Sequence, residues 1–375
     1  MISLLENKLI MRKILHRLIL LCLLVPVVSG LSANEQVSDT SKIKSEDPSK
    51  EAFKPGEFIL NHILNNHEWH ICTFMGHEVV VPLPIIIHSK VTGFHCFFSN
   101  KFEHGHASYQ GLTIPNEGVH KGKVVETFAD GTEVEPLDLS LTKVAFSLFL
   151  SAVLLLVIFI SVANKYKKNP NKAPSGLQSL LEVVIIFVRD DIAKSSIGEK
   201  RYEKYLPYLL TIFFFILFNN ILGLIPIFPF GANVTGNIAV PMVIAITTFF
   251  ISTFSTNKTY WTHIVNTPGV PWWLKLPVPL MPLIELLGFI NKPIVLMIRL
   301  FANMTAGHLI ATSLVCLIFI FGNISPGLGF GMSIFSTLFS VFMGLLHCLV
   351  ALIQAYVFTF LSALYFGMAK VEEHH

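Results

Sequence analysis

Charge-free apolar runs fill the second half of the chain, while the first hundred or so residues are polar and mixed. Val144 to Ala163 is one such run, long enough to cross about 30 Å of hydrocarbon, and it predicts a membrane-spanning helix over 144–163. Lys165, Lys167, Lys168 and Lys172 close it, and a lysine cluster beside a span marks the cytoplasmic side. From Gly176 to Lys194, Leu177, Leu180, Leu181, Val184, Ile185 and Val188 recur near helical spacing among Glu182, Arg189, Asp190, Asp191 and Lys194. Those charges exclude a crossing, so 176–194 predicts an amphipathic helix along the cytoplasmic interface.

Leu206 to Asn257 carries no Asp, Glu, Lys or Arg. Pro226, Pro229, Gly231, Asn233 and Gly236 interrupt it near its middle, which predicts a hairpin with crossings at 206–225 and 238–256. In the last stretch the glycines from Gly322 to Gly331, with Pro326, predict a break between helices at 283–321 and 331–369. Each is about 39 residues, close to 60 Å at about 1.5 Å per residue and about twice the hydrocarbon thickness, so both must tilt steeply or bend.

The N-terminal half reads differently. Arg12, Lys13 and Arg17 form a basic start beside the candidate initiator Met11, Leu18 to Val28 is a short apolar core, and Ser29-Gly30 supplies small residues. Together they predict a signal peptide over 1–30, with an uncleaved anchor as the alternative; either exports the residues after Gly30. Residues 31–141 are then extracytoplasmic, rich in histidine and irregular, with one short strand expected from the alternation between Glu78 and His88. His67 with His70 and His104 with His106 have ligand chemistry, but loop histidines lack a fixed first shell and read as solvated, so no metal site is expected. The exported compartment permits a Cys72–Cys96 disulfide and equally two free thiols.

Composition agrees with a membrane domain over 142–375: 53% of residues are apolar, 14% are charged and the mean hydropathy is +0.63. A net charge of +3 without a basic amphipathic face gives no reason to expect a nucleic-acid partner. No phosphate-binding loop, nucleophile motif or membrane-depth metal cluster is present, so neither an active site nor a cofactor is expected. The fold class is an all-α polytopic membrane protein with five membrane-embedded helices, two of them long and tilted, one interfacial helix and a small irregular N-terminal region.

Arg299 is the sole Asp, Glu, Lys or Arg between Lys292 and Lys370. A charge at mid-membrane costs about 2.5–3.5 kcal/mol on insertion scales, and guanidinium cannot shed its proton. Snorkelling to the nearer interface is the bland explanation. No carboxylate in the spans lies within reach of Arg299, Glu285 being 14 residues back toward the cytoplasm, so the counter-charge must come from another chain. Asn303 lies one turn from Arg299. His308 lies roughly 13.5 Å further along, and in the antiparallel helix His347 precedes Gln354 by roughly 10.5 Å, which sets the two histidines at one depth if Gln354 faces Arg299. Histidine exchanges protons near neutral pH, and amide side chains hold water between such sites. Asn219, Asn220, Asn233 and Thr235 are polar groups toward the exported end of the 206–256 hairpin, read either as caps and interhelical bonds or as a hydrated path.

The run Arg299-Leu-Phe-Ala-Asn303-Met-Thr-Ala-Gly307-His308, with Lys292-Pro293 before it and Gln354-Ala-Tyr-Val-Phe after it, resembles subunit a of the F-type ATP synthase membrane sector. The similarity extends from about Asn61 to the C-terminus, through Glu182 to Val188 and Asn233-Val-Thr235. It implies a proton-conducting stator in the bacterial inner membrane, with two offset half-channels facing a ring of proteolipid c subunits, each bearing one carboxylate. It also implies the peripheral-stalk subunit b and the rest of the complex as partners. Arg299 matches the family's essential arginine, Asn303, His308, His347 and Gln354 its uptake-side polar positions, and Glu285 its cytoplasmic-side carboxylate. This chain departs from relatives that pair a glutamate with a histidine at the positions of His308 and His347, and acidic positions of some relatives fall at Gly223 and Gly231. The competing class, a secondary transporter whose arginine binds an anion, predicts inverted repeats and paired half-length helices, and neither is seen.

Overall fold

A computed structural model describes residues 68–74, 77–89, 92–105, 107–115, 122–127, 133–168, 173–225, 229–257 and 280–369. The signal peptide over 1–30 and His62, His67, His106 and His120 lie outside the described residues.

Among the described residues eight short strands form three antiparallel sheets, in a region the sequence predicts as irregular. β1 (Glu68–Phe74) pairs with β2 (His77–Pro82), β3 (Pro84–Ser89) lies between β4 (Gly93–Phe98) and β8 (Leu137–Asp138), and β6 (Val125–Thr127) lies between β5 (Leu112–Thr113) and β7 (Glu133–Val134). The alternation from Glu78 to His88 is thus two strands in two sheets. Pro82 and Pro84 flank the break at Leu83, and a residue without an N–H cannot continue a ladder. Ile85, Ile87, Phe102, Leu112 and Val124 make a small core of their own. Buried Glu126 is satisfied by the Ser89 and Thr92 hydroxyls, which donate at 2.5 and 2.8 Å. Cys96 is a free, exposed thiol on β4, so the Cys72–Cys96 bridge is not made; the Cys72 side chain lies outside the described residues.

Among the described residues four helices are long and apolar enough to cross a membrane: α1 (Lys143–Lys168), α3 (Tyr202–Leu224), α5 (Leu280–Ile324) and α6 (Pro326–Met368). α4 (Ala239–Phe254) has 16 residues, or about 24 Å, less than the hydrocarbon thickness. α1 buries Val144, Leu148, Ser151, Leu155, Phe159 and Val162 at three- and four-residue spacing on the side that meets α3, while Phe149, Val153, Val157 and Ile160 point outward. α3 is the hub: it is buried almost all round and touches α1 and α6.

α2 (Leu177–Phe187) runs without a break into a π-helical turn, Val188–Lys194, and a last α turn, Ser195–Ile197, ended by Gly198 at φ 91°. Leu181, Val188 and Ile192 are buried in the main core, whereas Leu177, Leu180 and Val183 remain exposed. Arg189 donates two hydrogen bonds to Asp190, at 2.9 and 2.8 Å, and Lys194 reaches the same carboxylate at 2.9 Å. These bonds hold the Asp190 carboxyl well below the usual carboxylate range.

α5 and α6 form one long antiparallel hairpin of 45 and 43 residues, longer than the sequence spacing predicts. The loop expected over Gly322–Gly331 shrinks to Ser325 alone. Pro326 starts α6, where its missing N–H is not needed. The glycines instead let two backbones meet, since a Cβ on Gly329 would lie 2.6 Å from the Gly322 Cα. Down the hairpin, the Ser336 hydroxyl donates to the Leu314 carbonyl at 2.5 Å and the Lys292 ammonium lies 5.2 Å from the centre of the Tyr365 ring.

Candidate functional site

Arg299 sits half-buried midway along α5, between the outward-facing apolar residues Val295, Ile298 and Ala302. Among the described residues nothing forms an ion pair or hydrogen bond with its guanidinium. Glu285 lies on the first turns of α5, and its side chain is outside the described residues. The fold thus delivers a permanent cation to the surface of an apolar hairpin.

One turn onward, the Asn303 carboxamide donates to Gln354 Oε1 on α6 at 2.8 Å. Gln354 therefore meets Asn303 rather than Arg299. It is 3% exposed, and its Nε2 has no protein partner among the described residues. One further turn along, the His347 imidazole of α6 lies against Gly307: a Cβ there would stand 2.5 Å from Nε2 and 2.6 Å from Cδ2. Gly307 precedes His308, so the two imidazoles come to the same level of the hairpin. His308 points the other way, toward α3, with its Nε2 3.8 Å from where a Gly223 Cβ would be. The Ala232 carbonyl lies 3.2 Å from that same point, so a Cβ at 223 would press on this carbonyl and come into ordinary contact with His308.

The polar residues expected in the hairpin of α3 and α4 converge nearby. Asn219 Oδ1 accepts from the Ser151 hydroxyl of α1 at 2.9 Å, and its amide donates to the Phe215 carbonyl at 2.8 Å. Asn220 Oδ1 accepts from the Thr235 hydroxyl at 2.7 Å, and Asn233 Oδ1 from the Gly236 N–H at 2.9 Å. The Thr305 hydroxyl of α5 reaches the Gly236 carbonyl at 3.5 Å, tying this turn to the long hairpin. The Asn220 and Asn233 amide nitrogens are buried without a partner among the described residues. The acceptors of these amides, and the Asn219 donor, are used for capping, backbone and interhelical bonds; the Asn220 and Asn233 donors are left over among the described residues. Beside them a cavity of about 10 Å³, room for roughly one water, is lined by Ser147, Ser151, Asn219 and Gly231.

Sequence reasoning missed Ser151, and it named Gly223 and Gly307 without the close contacts they make. A glycine inside a helix costs up to about 1 kcal/mol relative to alanine, so Gly307 and Gly223 carried a signal that something must approach closely, though not what.

These features define a class: a polytopic helical membrane protein whose longest hairpin exposes a single arginine, unpaired among the described residues, and within three turns of it two histidines and a line of amides. The family model described as ATP synthase A chain matches residues 145–367, and another, described as a domain of unknown function, matches 58–142. ATP synthase subunit a of Chloroherpeton thalassium is 42% identical over 252 residues, covering 65% of this chain and 70% of that relative. That of Chlorobium phaeobacteroides (strain BS1) is 44% identical over 245 residues, covering 64% and 68%. That of Anaeromyxobacter dehalogenans is 38% identical over 261 residues, covering 67% and 62%. The chain belongs to the ATP synthase A chain family.

Proposed function

We propose that this chain is the proton-conducting stator subunit of a bacterial F-type ATP synthase, forming two half-channels against a ring of carboxylate-bearing subunits and coupling proton flow to ring rotation. The observation that carries this reading is Arg299: a cation without an ion-pair partner among the described residues, on a hairpin that has no other charge between Lys292 and Lys370. A carboxylate passing about 4 Å away would be attracted by roughly 4 kcal/mol at an effective dielectric near 20. That is enough to deprotonate it as it passes and small enough for it to leave. The fixed charge also opposes a proton crossing directly from one side to the other.

Uptake runs through the polar cluster. The unpartnered amide donors of Asn220, Asn233 and Gln354 need acceptors, since leaving each unsatisfied costs about 1–3 kcal/mol, and water is the acceptor that fits between them. His308 and His347, at one level and between those amides, exchange protons with that water. Neither position holds a carboxylate in this chain, and the His308 imidazole is a neighbour of Gly223, where some relatives are acidic. Asn303 and Gln354 carry the path to Arg299, and Glu285 serves the release side. The lysine cluster ending α1 supports a cytoplasmic end for that helix; in this reading the N-terminal sheets are outside and the C-terminus inside, with subunit b and the ring as neighbours.

The test is Arg299→Ala in the whole complex reconstituted in vesicles. ATP synthesis driven by a pH gradient is expected to be lost, while the complex still assembles with its ring. Retention of wild-type synthesis would refute the assignment.

A further inference from the structure

The domain ahead of α1 carries a surface that proton transfer does not use. Along β4, Phe94, Cys96 and Phe98 point to one face and are exposed, the two phenylalanines at 66% and 57%. Their ladder partners on β3 are His88, Ile86 and Pro84, and residues directly opposite in an antiparallel pair share a face. On the other side of β3, Leu137 pairs with His88, and the Leu139 N–H donates to the Ile86 carbonyl at 2.9 Å. Both leucines are exposed, at 60% and 57%. The opposite face, with Ile85 and Ile87, is already closed over the small core. One side of a three-stranded sheet is therefore an apolar surface without an Asp, Glu, Lys or Arg. Exposed patches of this kind mark a protein or a membrane contact.

We infer that this face rests in the lipid interface around the point where α1 enters the bilayer. The sheet cannot lift away from that point. Leu141 N–H still donates to the Pro84 carbonyl at 3.0 Å, and only Thr142 separates Leu141 from the first residue of α1. Leu139, four residues before Lys143, is at most about 14 Å from it along the chain. A second clamp comes from β1: the Trp69 ring meets Phe146 edge to face at 5.9 Å, and the Lys143 ammonium lies 5.5 Å from the centre of the same ring. The Trp69 ring is buried, at 4% exposed, with Lys143 over it, so this contact fixes β1 to the mouth of an apolar helix, and lysine and tryptophan are both residue types of headgroup depth. Lys143 is also the sole charged residue between Asp138 and Lys165. Exposed apolar positions thus continue along the chain from Leu137 and Leu139 to Phe149 and Val153 of α1, a helix long and apolar enough to cross a membrane. This continuity selects lipid over a partner protein.

Cys96 supplies the probe. In the full chain reconstituted in phosphatidylcholine vesicles, with Cys22, Cys72 and Cys348 replaced by serine and buried Cys316 by alanine, a nitroxide is attached to Cys96. Its collision rates with lipid-soluble oxygen and with a water-soluble nickel chelate are compared with those of a label at exposed Ser108→Cys. Oxygen is expected to prevail at 96 and nickel at 108, and adding Phe94→Asp with Phe98→Asp should expose the label at 96 to nickel. Equal nickel access at both sites overturns the inference, as does a label at 96 that is wet in vesicles and becomes shielded only within the assembled complex. The labelled chain without the Asp substitutions carries the decisive comparison, so misfolding of the double variant does not affect it.

Discussion

Gly307→Ala isolates the role of the hairpin contact at His347. A Cβ at 307 would stand 2.5 Å from Nε2 and 2.6 Å from Cδ2, whereas ordinary contact begins near 3.4 Å, so the imidazole must retreat by about 1 Å. Two opposing effects act on stability. Alanine adds up to about 1 kcal/mol of helix propensity, and overpacking a filled site removes about 1–3 kcal/mol. The balance is a small net loss. The effect on proton uptake is not balanced in this way, because a displacement of about 1 Å at a reacting centre costs up to roughly 100-fold. Gly288→Ala on the same helix is the control, since nothing lies within 4 Å of its Cβ. The assay is ATP synthesis after an acid–base jump in reconstituted vesicles, with thermal unfolding of the same preparations. Gly307→Ala should slow synthesis by about tenfold or more with little loss of stability, and Gly288→Ala should leave the rate unchanged. A wild-type rate in Gly307→Ala, or equal slowing in both variants, would refute the placement of His347 in the relay.

His308→Ala and His347→Ala should each slow proton-driven synthesis without releasing the ring, and full activity in both would remove the histidines from the path. The bond between Asn303 and Gln354 should appear in a double-mutant cycle on synthesis rate as a coupling of about 0.5–1.5 kcal/mol, and additive single effects would show the two amides acting separately. Thr235→Val removes the donor to Asn220 Oδ1 at a site where both residues are buried; it should cost about 1–3 kcal/mol in unfolding experiments in detergent, and an unchanged midpoint would contradict the bond.

The sequence by itself determined what depends on local composition. Long charge-free runs are solvated by lipid, so the four long apolar helices α1, α3, α5 and α6 were legible, though not the tight connection between α5 and α6. The isolation of Arg299 was legible too, because an absent carboxylate is a property of the chain and no folding supplies one. Tertiary structure decided what depends on register and rotation. The meeting of Gln354 with Asn303, the seating of His347 on Gly307 and of His308 beside Gly223, and the closing of α5 onto α6 at Ser325 all come from how two cylinders are turned against each other. Each helix offers its own periodicity but not its neighbour's. The N-terminal strands escaped for a related reason: β5, β7 and β8 are two residues long, too short for alternation to show, and they exist only because a neighbouring strand completes their hydrogen bonds.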